Sequence, residues 1–175
     1  NANEEIAKRA KELLPQPAAA DSKPLPPLDE LVRLSGDSKK GMAIFRGVAT
    51  CANCHIVDGF GKQVGPDLSE IGSKLSREAM FTSILAPSAG ISHNYENMIA
   101  LTEDGRVVNG VLVSETDDKL VLRTAEAIDL EFYQDDIVDV KKSEKSIMPE
   151  NLHHTTDQQG LVDMVEYLMG LKKKS

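Results

Sequence analysis

The end of the chain carries apolar residues at the spacing of a helix. They recur every three or four positions on one face, at Leu161, Met164, Val165, Leu168 and Leu171. Thr156 and Gln159 stand before them at the spacing of a capping box, in which two side chains bind the free N–H groups of the first turn. The pattern predicts a final helix with one buried face.

Four segments before residue 90 also have helical patterns. EEIAKRAKELL, within residues 1–14, predicts a charged helix, and PQPAAADSKPLPP after it is typical of a linker or arm. LDELVRLSG predicts a short helix that ends near Gly36. DSKKGMAIFRGVA predicts a helix from Asp37 that runs directly into the two cysteines. SREAMFTSILAPS predicts another helix, with Ser76 as its N-cap and Pro87 as its end.

The pattern changes to short apolar runs after Ala89. Asp104 and Gly105 form a strong hairpin signal between two such runs, and TDD at residues 116–118 marks another turn. We expect four or five antiparallel strands from about residue 94 to residue 140, forming a small curled sheet or barrel. The organisation is helical, then β, then helical, as if a β unit were inserted into an α domain.

Composition and charge limit the kinds of partner. The 175 residues are 41% hydrophobic, which is enough for one ordinary domain or for a small domain with a sizeable insertion. The chain includes no Trp, and a large buried cofactor would help to fill its core. The net charge of -8 argues against nucleic acid, because phosphates attract Lys and Arg. No apolar run approaches the roughly 20 residues of a membrane helix, so we expect no transmembrane segment in this chain.

The only two cysteines form the motif Cys51-Ala52-Asn53-Cys54-His55. This spacing is the signature of c-type haem attachment, in which both sulfurs bind the porphyrin and the next imidazole binds the iron. A dithiol redox site is one alternative, but its CxxC belongs near a βαβ pattern, and here a predicted helix precedes it. A zinc site is another, but it needs four ligands and the chain has no further cysteine. We therefore expect one covalently attached haem c.

The letters GPDL at residues 65–68 supply a partner for His55. A histidine on iron needs an acceptor for its other ring nitrogen, which fixes the tautomer and the ring angle. The carbonyl of Pro66 is the candidate acceptor, and Leu68 is a candidate haem contact. We expect an apolar, water-excluding pocket formed by Val64, Leu68, Ile71, Leu75, Ile84 and Leu85.

Met148 is the candidate for the second iron ligand. It lies in the loop SEKSIMPENL just before the final helix, where Pro149 stiffens the turn. The other five methionines lie in predicted helices or a predicted strand. A thioether favours ferrous iron and raises the potential. Three histidines remain as alternative ligands: His93, His153 and His154. Ligation by two histidines would lower the potential.

Together these motifs resemble those of class I c-type cytochromes. In that family a Gly-Pro loop presents the proline carbonyl to the haem histidine, and a late loop presents the methionine. The first and last helices of the family cross at a small residue and two aromatic residues. Gly41, Phe45 and Tyr167 match those positions.

The whole arrangement also resembles the haem-binding domain of the planctomycete and verrucomicrobial type. The resemblance runs from about Gly41 to Leu171 and includes GPDL, LAPSAGIS, DGRVVNGVLV and SIMPENL. It implies a mainly α cytochrome c fold with an inserted small antiparallel β subdomain (α+β). The expected parts are an N-terminal helix and arm (1–36), the haem-motif part (37–93), the β subdomain (94–142), and the methionine loop with the last helix (143–175).

The function that this resemblance implies is transfer of single electrons, not catalysis, although such domains often belong to larger dehydrogenase-like chains. The alternative is a haem enzyme, or a sensor of gas or peroxide, with an open or histidine-ligated distal site. The β subdomain is expected to be a structural lid or, alternatively, a docking surface.

Location and partner follow from the cofactor and the charge. Thioether attachment of haem takes place outside the cytoplasm, so we expect a periplasmic or otherwise exported protein. An acidic chain and the haem propionates predict a redox partner with a basic docking face.

Overall fold

The computed structural model describes residues 19–173, so the helix predicted within residues 1–14 lies outside the described part. The helices are α1 (Leu28–Leu31), α2 (Ser38–Arg46), α3 (Arg77–Leu85) and α4 (Gln158–Gly170). The strands are β1 (Asn97–Thr102), β2 (Val107–Glu115), β3 (Lys119–Arg123), β4 (Asp129–Tyr133) and β5 (Ile137–Lys142). No helix within this described range is long and apolar enough to cross a membrane.

Helix α4 forms the centre of the helical core. Its predicted apolar face is confirmed, since Leu161, Met164, Val165 and Leu168 are all buried. The predicted capping box is wrong, because the N-cap is Asp157, whose carboxylate accepts a hydrogen bond from the amide of Gly160. The side chain of Gln159 instead donates to Asp163, 2.8 Å away. A carboxylate is as good an N-cap as a hydroxyl, so the helix begins later than the threonine pattern predicts.

Helices α2 and α4 cross at very short distance. Gly41 lies at the crossing, where a Cβ atom would be 1.9 Å from the carbonyl oxygen of Asp163. Beside it the rings of Phe45 and Tyr167 meet edge to face, with centroids 5.7 Å apart. The N-cap of α2, Asp37, also donates its amide to the Asp163 carboxylate at 2.8 Å. The crossing therefore holds the start of α2 and the haem motif after it against the last helix.

Helix α3 packs on the same core and carries one wall of the site. Ser76 is its N-cap, as predicted, and the helix ends at Leu85, two residues before Pro87. Arg77 joins α3 to α4 through a 2.6 Å ion pair with Glu166. Met80, Phe81 and Ile84 are the buried residues of this helix.

The five strands form one open antiparallel sheet in the order β4-β3-β2-β1-β5. Each neighbour in the sheet is a chain neighbour, except β5, which returns to pair with β1. The sheet has a small core of its own, formed by Ala100, Leu120 and Leu122. Register shifts occur in β5 at residues 137–139, opposite β1, and in β2 at residues 112–114, opposite β3. Such irregularities bend a strand and increase its twist.

The prediction of a mainly α cytochrome c fold with a small inserted β subdomain is wrong. Helices make up 33% and the five-stranded sheet 22%, with four α-helices among the described residues. Much of the chain around the haem motif forms short 3-10 turns and loops, for example Cys51–Asn53 and Ile71–Ser73. The apolar residues of these segments face a cavity and do not pack in α-helices. The helical share of the chain is therefore lower than the prediction requires.

Candidate functional site

All six residues predicted to bind the cofactor line one cavity of about 360 Å³: Cys51, Cys54, His55, Pro66, Leu68 and Met148. Five of the six predicted apolar pocket residues also line it, whereas Leu85 packs against the helical core. The lining includes no Asp, Glu, Lys or Arg from the described residues. A cavity of this kind suits a large, mostly apolar group.

The two cysteines lie on a tight turn, not at the end of a helix. Helix α2 ends at Arg46, so the predicted helix into the motif is wrong. Thr50, with a left-handed φ of 55°, redirects the chain into the 3-10 turn Cys51–Asn53. The amides of Cys54 and His55 then donate to the carbonyl of Cys51, at 3.1 and 2.9 Å. This turn brings two sulfurs and an imidazole to one side of the cavity.

The thiols have the electrostatics of buried groups. Burial raises the pKa of Cys51 to about 12, and its sulfur lies 3.7 Å from that of Met164. Burial also raises the pKa of Cys54, and the nearby Glu126 adds to the effect. A dithiol redox site needs a thiol with a lowered pKa. The surroundings of these cysteines therefore disfavour that alternative.

His55 is held as a neutral imidazole with one ring nitrogen left free. Its Nδ1 lies 2.8 Å from the carbonyl oxygen of Pro66, which only accepts, so Nδ1 carries the hydrogen. Nε2 is left with a free lone pair, as metal binding requires. Burial lowers the pKa of His55, although the hydrogen bond to Pro66 acts in the opposite direction. The imidazole is thus neutral at neutral pH.

Gly65 lets the loop lie directly against this imidazole. A Cβ at position 65 would be 2.5 Å from Cε1 of His55 and 2.9 Å from Nδ1. The amides of Val64 and Gly65 donate to the carbonyl of Cys54, at 2.9 and 2.8 Å. The motif and the Gly-Pro loop therefore form one cradle, and its residues fit an iron porphyrin with His55 as ligand.

Met148 reaches the same cavity from the loop between β5 and α4. Its amide donates to the hydroxyl of Ser146 at 3.1 Å, and the amide of Ser146 donates to Ser88 at 3.2 Å. The side chain of Met148 is half-buried and packs against the helical core. Ile147 and Pro149 line the cavity on either side of it.

The three alternative histidine ligands do not line the cavity. The side chain of His93 is 89% exposed, and its Nδ1 lies 3.6 Å from the carboxylate of Glu96. His153 is buried, yet neither ring nitrogen has a hydrogen-bond partner. His154 is exposed, and its ring lies edge-on to that of His153 with centroids 4.4 Å apart. No group of three or more His, Cys, Asp or Glu side chains in residues 19–173 is arranged to hold a metal ion.

Among the cavity residues that the sequence reasoning missed, Met80 and Ala125 bear most on the chemistry of the site. Met80 was expected to be core, and it is buried, but it also lines the cavity and is a second thioether sulfur there. Its place four residues before the predicted pocket residue Ile84, on the same face of one helix, was the available signal. Ala125 lines the cavity from the turn between β3 and β4. No local pattern marks an alanine in a distant hairpin as part of this site.

Comparison with protein families agrees with the chemistry of the cradle. Residues 38–118 match the family model Cytochrome c. Over these residues, which are under half of the chain, the protein is similar to cytochrome c-type domains, a family of electron-transfer proteins with covalently attached haem. Such domains are typically exported, and an electron-transfer role within an enzyme is compatible with the match. The matched part ends between β2 and β3, so Met148 lies outside it. The chain matches no curated protein.

Proposed function

We propose that the protein is a monohaem c-type cytochrome that carries single electrons to or from a redox partner, with iron bound by His55 and Met148. The observation that carries this proposal is the shared cavity. A neutral histidine with its tautomer set by Pro66, two cysteines and a thioether all line it. A bound haem supplies a one-electron couple between ferric and ferrous iron.

Each residue has a defined role in this proposal. Cys51 and Cys54 hold the porphyrin through their sulfurs, and His55 presents Nε2 to the iron. Pro66 orients the imidazole and increases its basicity by accepting the Nδ1 hydrogen. Met148 supplies a soft sulfur, which favours ferrous iron and raises the potential. Leu68 and the other apolar lining residues exclude water.

The finer assignments belong to the same proposal. We place the domain in the planctomycete and verrucomicrobial haem-binding type, in a periplasmic or equivalent exported compartment. The four parts at 1–36, 37–93, 94–142 and 143–175 remain the proposed organisation. The net charge of -8 favours a partner with a basic docking face.

The test is the optical spectrum of the purified haem protein, oxidised and reduced, beside that of Met148→Leu. We expect a low-spin spectrum with a far-red sulfur-to-iron charge-transfer band in the oxidised protein, lost in Met148→Leu together with a fall in potential. Met80→Leu tests the rival sulfur in the cavity. Met42→Leu, at a partly exposed position of α2, is the matched control.

The outcomes separate the possible ligands. Loss of the band in Met80→Leu and not in Met148→Leu would identify Met80 as the iron ligand. A low-spin spectrum without the band would point to a histidine. A high-spin spectrum would mean an open iron and would favour the alternative function, a haem enzyme or a sensor of gas or peroxide.

A further inference from the structure

The turn between β3 and β4, residues 124–128, reaches out of the sheet to the cofactor cavity. Ala125 lines the cavity, and its carbonyl oxygen lies 3.8 Å from the sulfur of Cys54. The sheet otherwise packs on its own small core around Leu120 and Leu122. The turn therefore brings the tip of a separately packed sheet to the cysteine side of the site.

Arg123 joins this turn to the loop that follows the haem motif. Its guanidinium donates to both carboxylate oxygens of Asp129, at 2.6 and 2.8 Å, which ties together the facing ends of β3 and β4. Its remaining terminal nitrogen donates to the carbonyl oxygen of Gln63 at 2.8 Å. The Arg123 side chain is only 26% exposed, so water competes little for these bonds.

A second contact and a strained residue mark the same turn. The ammonium of Lys62 lies 3.5 Å from the carbonyl oxygen of Glu126. Ala127 has a φ of 65°, in the left-handed region, which costs an alanine about 1 kcal/mol or more. A conformation of this kind persists only where the surroundings hold it. Bonds within the turn, from Thr124 to Ile128, and those to the Gln63 loop do so here.

We infer that the 124–128 turn closes the Cys54 side of the haem cavity against water, and that Arg123 is the positioning residue that holds it closed. The inference rests on the proposed haem site and adds a role for the sheet within it. Water beside a haem stabilises the ferric form, because that form carries one more positive charge. A closed turn therefore keeps the potential higher than an open one would.

The test uses the haem-loaded protein and the variant Arg123→Lys. Lysine keeps the positive charge but cannot make the two-pronged bond to Asp129 and the bond to Gln63 together. Arg106→Lys is the matched control. Arg106 makes a similar bond to Asp104, 2.7 Å long, in the turn between β1 and β2, away from the cavity lining.

Amide hydrogen exchange of residues 124–128, followed by mass spectrometry, is the first readout. We expect it to be about tenfold faster in Arg123→Lys, as loss of one charge-assisted hydrogen bond implies, and unchanged in Arg106→Lys. The reduction potential is the second readout. It is expected to fall in Arg123→Lys alone, and retention of the charge excludes a direct effect of a lost cation.

The outcomes are distinct from those of the proposed function. Unchanged exchange in Arg123→Lys overturns the role of Arg123, and faster exchange with an unchanged potential overturns the shielding of the haem. Covalent haem is measured separately by intact mass on the unmodified protein. Its absence would refute the proposed function, while hydrogen exchange would still report whether Arg123 holds the turn.

Discussion

The crossing of α2 and α4 gives a quantitative prediction for Gly41→Ala. A Cβ at position 41 would lie 1.9 Å from the carbonyl oxygen of Asp163 and 2.9 Å from Cβ of Tyr167. Ordinary contact begins near 3.4 Å, so the first distance is too short by 3.4 - 1.9 = 1.5 Å. The obstacle is helix backbone, which cannot rotate away as a side chain can. The two helices must separate, and the contact of Phe45 with Tyr167 loosens.

Two effects of opposite sign decide the size of the change. Overpacking of a core costs about 1–3 kcal/mol and more where the backbone must move, and this crossing belongs at the upper end. Alanine in place of glycine stabilises a helix by about 1 kcal/mol. The clash is the larger effect, so we expect a net loss of about 2 kcal/mol or more. For a chain of this size that lowers the melting temperature by roughly 4–8 °C.

Urea and thermal unfolding of the haem-loaded protein measure this change, with Gly170→Ala as the control. Gly170 is the last residue of α4, and a Cβ there would meet only the hydroxyl oxygen of Ser38, at 3.9 Å. The control is expected to lose no stability, because alanine favours a helix over glycine and no clash opposes it. Equal stability of Gly41→Ala and Gly170→Ala would show that the crossing is not tight, and the reasoning would fail.

Two further substitutions test the site and a buried histidine. Gly65→Ala places a methyl group 2.5 Å from Cε1 of His55, so we expect a weaker hydrogen bond from His55 to the carbonyl of Pro66. The optical spectrum should then show a larger high-spin fraction, and a spectrum identical to that of the wild type would contradict this. His153→Leu removes two buried, unpartnered nitrogens and is expected to add about 1 kcal/mol of stability at pH 7. Burial, with a smaller contribution from His154, lowers the pKa of folded His153 below its ordinary 6.5. The unfolded chain therefore binds that proton more readily, and the wild type loses stability as the pH falls below about 6.5. In urea unfolding at several pH values, the free energy of unfolding of His153→Leu should fall less at low pH than that of the wild type. Parallel curves of this free energy against pH would refute the assignment.

The helices show what local patterns predict well. The buried face of α4 and the Ser76 cap of α3 depend on spacing and on side chains close in sequence, and both are confirmed. The length of α2 was overpredicted, because its apolar pattern continues past Arg46 while the chain turns at Thr50 to place the cysteines. The turn places the two cysteines at the cavity, and the apolar pattern of α2 does not indicate where it occurs.

The sequence by itself determined the chemistry of this protein: two cysteines and a histidine at one spacing, a Gly-Pro loop, and a methionine in a late loop. The cysteine-histidine motif is a local signal, because haem attachment needs both cysteines and the histidine within a few residues of one another. Only the tertiary structure decided that Met148 and Met80 line the same cavity as His55, and that Ala125 of the sheet does so too. Those contacts join segments far apart in the chain. Their geometry depends on the close crossing at Gly41 and on Arg123, whose bonds span positions that no sequence period relates.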